Sequence, residues 1–174
     1  MLALTSSAKA HELAALHLDF ISKKEPSWEF TIPQHVKNSR PNDPTRKIFL
    51  PPFPENQNLR VIESLKDYTM RTALIRKDQN LLVSYATPHT AVGSQTVSRW
   101  IRTVALTAGI NSQYTSHSTG SAATSTAADN GVPIEDILAA ADWSSETMFE
   151  MFYGKPVSRD AGTTYVVGGA YSKN

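Results

Sequence analysis

Three side chains in the stretch Thr115–Tyr153 carry groups that could do chemistry: His117, Trp143 and Tyr153. A phenol oxygen can act as a covalent nucleophile. An imidazole can exchange a proton, and an indole N–H donates a hydrogen bond. Cations that could face an anionic group lie elsewhere, at Lys9, Lys37, Arg40, Arg99 and Arg102. Each residue also has a plain reading by type. Tyr153 ends an apolar run, where a tyrosine is ordinarily a core aromatic with a wet hydroxyl. Trp143 suits a core, His117 a helix N-terminus satisfied by backbone, and Lys37 and Lys9 a solvated loop and helix. The chain has no cysteine, which excludes disulfides, thiolate nucleophiles and cysteine–zinc sites. His11 and His17 stand six residues apart and do not share a helical face, so no metal pair is expected. His35 and His89 sit in loop-like segments and carry no signal. No cofactor and no metal are expected.

The elements that must position these groups are legible in outline. The first helix is expected to run to about Ile21, with Leu13, Leu16 and Phe20 at helical spacing. WEFTIP from Trp28 alternates like a strand, and KIFLP from Lys47 reads as its partner. Between them HVKNSRPNDPTR forms a polar tip holding Lys37 and Arg40. Pro51, Pro52 and Pro54 then interrupt the chain. A second helix fits ESLKDYTMRTALIRK, with Leu65, Tyr68, Met70 and Leu74 as its apolar side. NLLVSY from Asn80 reads as a short buried strand. A third helix fits SQTVSRWIRTVALTAG, ended by Gly109. His117 opens a small-residue helix, SAATSTAADNG, closed by Asn130 and Gly131. Pro133 starts the next helix, IEDILAAA, with Ile134, Ile137 and Leu138 inward. Ser144 or Ser145 caps a last helix, ETMFEMFY. A helix of Ala, Ser and Thr permits close backbone approach, which places this region in the packed centre. The composition suits one domain over residues 1–174, mainly α with a small antiparallel β-sheet (α+β), and with a partly mobile tail over 159–174.

At SHSTGSAATS, GVPIEDILAAADWSS and MFEMFYGKP the chain resembles the catalytic domain of the tyrosine recombinases, the phage-integrase family. LALTSSAKAHELAAL and HVKNSRP extend the resemblance over nearly the whole chain. The wording is similar to recombinases of eukaryotic mobile elements of the Crypton and DIRS kinds. Short pieces such as SAAT carry little alone; five in the right order are specific. The resemblance implies the tyrosine-recombinase catalytic-domain fold.

It also implies a chemistry. In that family a tyrosine hydroxyl attacks a DNA phosphodiester and leaves a covalent phosphotyrosine, which conserves the bond energy for rejoining. Two arginines fork onto the non-bridging oxygens of the negatively charged transition state. A hairpin lysine protonates the leaving oxygen, and a histidine and a second His or Trp add hydrogen bonds. By this resemblance Tyr153 matches the nucleophile, His117 the histidine of H-x-x-R, Trp143 the His/Trp position and Lys37 the hairpin lysine. Lys9 falls where the first arginine would sit, with Glu12 matching the acid after it. Gly120 falls where the second would sit. Losing one preorganised oxyanion donor costs about 10²–10³ in rate, and arginine fingers contribute roughly 10³–10⁵. The resemblance therefore implies an intact fold whose cleavage is lower by several orders of magnitude.

Charge distribution fits a polyanionic partner better than net charge does. Net charge is +1, but residues 1–110 carry 14 Lys+Arg against 9 Asp+Glu, while residues 111–174 carry 3 against 7. The basic part, with Arg40, Arg99 and Arg102, could contact DNA phosphates; uneven surface charge is the plainer account. Duplex DNA is the expected partner. Two other functions fit the residues: a recombinase still active through compensating groups, and a protein-interaction module to which DNA is irrelevant. After Tyr153, GTTYVVGGAY offers an apolar strip that would dock on a second copy or fold back. The family's separate N-terminal DNA clamp has no room here, which would weaken binding. No apolar run approaches the roughly 20 residues of a membrane span, and a signal peptide is not expected without a basic leading segment. The expected location is intracellular, and nuclear in a eukaryotic host.

Overall fold

In a computed structural model of the chain, the described residues are 1–32, 46–52, 59–111, 114–115 and 118–141. The elements run α1 (Leu2–Ser6), α2 (Ala10–Ala14), a 3₁₀ turn at Leu18–Phe20, β1 (Ile21–Lys24), β2 (Ser27–Thr31), β3 (Lys47–Leu50), α3 (Val61–Thr72), α4 (Ser94–Thr107), α5 (Ser118–Asp129) and α6 (Ile134–Ala141). The architecture is mainly helical around one small antiparallel sheet, as expected.

The sheet has the order β1-β2-β3. Trp28 pairs with Leu50 and Phe30 with Ile48, all four buried on one face. Glu29 and Phe49 pair on the opposite face, where Phe49 is exposed. This is the period-two alternation read from WEFTIP and KIFLP, carried to completion by pairing. The same core holds Ala3 from α1, Leu13 from α2, Leu16 just after it, Val61, Ile62 and Leu65 from α3, then Leu81 and Val97. Phe30, Leu16, Leu50 and Leu81 have no exposed surface at all.

Four expectations are corrected. The first helix does not run to Ile21. Ser7 takes a left-handed conformation (φ 52°) that divides α1 from α2, and the chain leaves helical geometry after Ala15. Ile21 instead opens β1, a strand the sequence reading missed. On α3, Leu65 is buried, whereas Met70 is 70% exposed; Leu74, past the helix end, is fully exposed. The buried side runs through Val61, Leu65 and Thr72, and Met70 lies two residues, about 200°, from Tyr68. Finally, Asn80–Tyr85 forms no strand. It makes single bridges, His17 with Asn80 and Val83 with Ala91, although Leu81 and Val83 are buried.

That segment is held by side chains. Arg76 donates to the carbonyls of Asn80 and Leu81 and to Thr72 Oγ1. Tyr68 accepts from the Val83 N–H at 3.0 Å. Asp78 accepts from the N–H groups of Asn80 and Ala91, both at 3.0 Å. The later helices match expectation. Gly109 and Gly131 follow α4 and α5 with φ of 79° and 76°, the left-handed geometry glycine adopts at low cost. The N–H of Ile137 bonds to the Pro133 carbonyl, and Ile137 is buried.

Candidate functional site

Of the residues matched to chemistry, Lys9, Gly120, Arg99 and Arg102 are described. Tyr153, His117, Trp143, Lys37 and Arg40 lie outside the described residues, as do the expected last helix and the tail.

Lys9 is the N-cap of α2, with extended backbone (φ −72°, ψ 155°). An ammonium has donors and no acceptor, so its side chain cannot satisfy the first N–H groups of the helix. Glu12, three residues on, bends back and accepts from the Lys9 backbone N–H at 2.6 Å. This is the return half of a capping box. The other carboxylate oxygen accepts from Arg46 Nε at 3.0 Å. Glu12 is 4% exposed, so its charge needs partners. It has them in the Lys9 backbone and in Arg46, which stands at the base of the β2–β3 hairpin, just before β3. The Lys9 ammonium itself makes no hydrogen bond or ion pair among the described residues.

Gly120 sits in the first turn of α5, and α5 packs on α1 and α6. A β-carbon built on Gly120 meets the Ser7 carbonyl oxygen at 3.5 Å, an ordinary contact. Ser7 ends α1 two residues before Lys9. The fold thus sets Gly120 against the break between α1 and α2, two residues along the chain from Lys9. The α5 backbone there is tied by Thr124, whose hydroxyl donates to the carbonyls of Gly120 and Ser121 at 3.0 Å each. Ser118 Oγ accepts from the Thr115 N–H at 3.0 Å, closing the turn into α5.

Arg99 and Arg102 lie on one face of α4, three residues apart, and both are exposed. No acidic residue occurs in α4. Neither arginine has a partner among the described residues. α4 packs on α2, the helix whose N-cap is Lys9. Arg46 was not singled out in sequence. A glutamate three residues after a helix start does signal a capping box, but its cross-chain partner has no local mark.

No family model matches the chain, and no curated protein matches it. Solved structures do. The crystal structure of XerA recombinase is similar over 87% of this chain and 48% of that one, with 19% identity and a TM-score of 0.66. XerH site-specific recombinase, bound to palindromic difH substrate in a post-cleavage complex, is similar over 88% of this chain and 40% of that one, at 11% identity and a TM-score of 0.68. A lambda integrase dimer bound to a COC' core site covers 95% of this chain and 53% of that one, at 15% identity and a TM-score of 0.62.

The fold is the tyrosine-recombinase catalytic-domain fold. The chain spans about half or less of the length of these tyrosine-recombinase structures. Among its described residues no helix is long and apolar enough to cross a membrane. No cluster of three potential metal ligands occurs among them either.

Proposed function

We propose that this chain is a duplex-DNA-binding domain of the tyrosine-recombinase type in which strand cleavage is impaired. The observation that carries the reading is the seam between Ser7 and Gly120. Gly120 lies against the Ser7 carbonyl, two residues before Lys9, and these two positions, matched by the resemblance to the arginines of a phosphate clamp, hold a glycine and a lysine. A lysine keeps the charge but cannot fork onto two oxygens. A glycine supplies no donor. Neighbours of the same fold include proteins bound to their DNA sites, which supports DNA as the partner. The exposed Arg99 and Arg102 on α4, without a partner among the described residues, support it as well.

In this reading Tyr153 is the nucleophile, His117 and Trp143 bind the transition state, and Lys37 protonates the leaving oxygen. The test is covalent trapping on a pool of nicked duplexes, scored on a denaturing gel. The expected result is an adduct with the Lys9→Arg, Gly120→Arg double variant and none with the unmodified protein. An adduct with the unmodified protein that disappears in Tyr153→Phe would overturn the impairment and leave a working recombinase.

A further inference from the structure

We infer that Arg46 is a positioning residue whose pairing with Glu12 keeps the Lys9 ammonium available to a DNA phosphate. The inference rests on the DNA-binding reading and deepens it. Lys9 and Glu12 are one helical turn apart, the spacing at which a lysine and a glutamate ordinarily pair. A mostly buried carboxylate is the strongest local competitor for a nearby cation. Here both of its oxygens are already engaged, one by the Lys9 backbone N–H at 2.6 Å and one by Arg46 Nε at 3.0 Å. The competitor is therefore occupied, and the ammonium has no partner among the described residues. The arrangement matters more for a lysine than for an arginine at this position. An arginine could hold the carboxylate with one edge and a phosphate with the other, whereas a single ammonium engaged by Glu12 would present little charge outward.

The backbone geometry also fixes where Lys9 is anchored. Lys9 follows the Ser7 turn, whose carbonyl oxygen faces Gly120. Arg46 joins α2 to the start of β3, and its carbonyl accepts from the Ile32 N–H at 2.8 Å, continuing the β2–β3 ladder. Arg46 thus ties the base of the hairpin to the start of α2, where Lys9 stands.

The experiment is the salt dependence of binding to a nicked duplex, measured with the full chain. Each phosphate contact contributes about 0.9 to the slope of log binding constant against log salt. Lys9→Met is expected to lower that slope by about 0.9. Arg46→Met is expected to lower it by a similar amount in the unmodified background and not at all in Lys9→Met. Adding Glu12→Gln to Arg46→Met should restore the slope, because a neutral amide does not capture the ammonium. A structural role alone would not give that recovery. If Arg46→Met does not fold, the neutral pair E12Q/R46M is compared with E12Q/R46M/K9M, and a difference of about 0.9 is expected. An unchanged slope in Lys9→Met, or an equal loss from Arg46→Met with Lys9 already removed, would overturn the inference while leaving the DNA-binding reading intact. Absence of salt-dependent binding by the unmodified protein would overturn both.

Discussion

At the scale of single residues, Gly120 is where chemistry and stability can be separated. Among the described residues outside its own helix, its projected β-carbon touches only the Ser7 carbonyl oxygen, at 3.5 Å, and its φ is not in the left-handed region. Glycine in a helix costs roughly 0.5–1 kcal/mol relative to alanine. Gly120→Ala should therefore stabilise the fold by up to about 1 kcal/mol in urea unfolding. A loss of that size instead would mean that α1 and α5 pack more tightly than 3.5 Å implies. Glu12 tests the opposite case. Arg46→Met leaves a 4%-exposed carboxylate without its guanidinium, and breaking such a pair from one side costs about 3–5 kcal/mol. Replacing both members, as in E12Q/R46M, should recover much of that loss, because no uncompensated buried charge remains.

Among the elements, the sheet and α3 carry the clearest contrasts. Leu65 is buried while Met70 is 70% exposed. Leu65→Ala should cost about 2–5 kcal/mol, and Met70→Ala less than about 0.5 kcal/mol; equal effects would contradict the observed helix face. The β1–β2 turn is joined to α3 by Lys66, which lies 2.7 Å from Glu25 and over the Trp28 ring. The hydrogen bond from Lys66 is the main cause holding the Glu25 carboxyl below its usual range. The pair therefore contributes stability at neutral pH that is lost as pH falls through the carboxylate range. Stability curves of the unmodified protein and Glu25→Gln should converge as pH is lowered, and a gap that widens towards acid would refute the assignment. These elements also mark how far sequence could reach. Gly109, Gly131 and Pro133 announce helix boundaries by backbone chemistry, and Trp28 to Leu50 alternates cleanly, so α4, α5, α6, β2 and β3 were readable. ISKK was not, because β1 has one apolar residue and owes its existence to pairing with β2. The break at Ser7 was hidden as well, since serine carries no mark for left-handed geometry. The Glu12–Arg46 pair spans 34 residues, and nothing in a linear pattern selects one arginine for one glutamate across that distance.

For the whole molecule, the testable property is how it meets a polyanion. Its net charge of +1 gives little general attraction, so binding should depend on where cations stand rather than on how many there are. Arg99→Ala with Arg102→Ala should lower the salt slope by about 0.9 for each lost contact and leave thermal stability nearly unchanged, since both side chains are exposed. An unchanged slope would remove α4 from the proposed DNA-binding surface.

The seam between Ser7 and Gly120 also tells what a first added carbon at position 120 would meet. Among the described residues, and outside its own helix backbone, the Ser7 carbonyl oxygen alone lies within 4 Å of a β-carbon built there, at 3.5 Å. Position 120 therefore admits a β-carbon without displacing a described neighbour, and in the proposed reading a side chain could be returned to it while α1 and α5 stay in place.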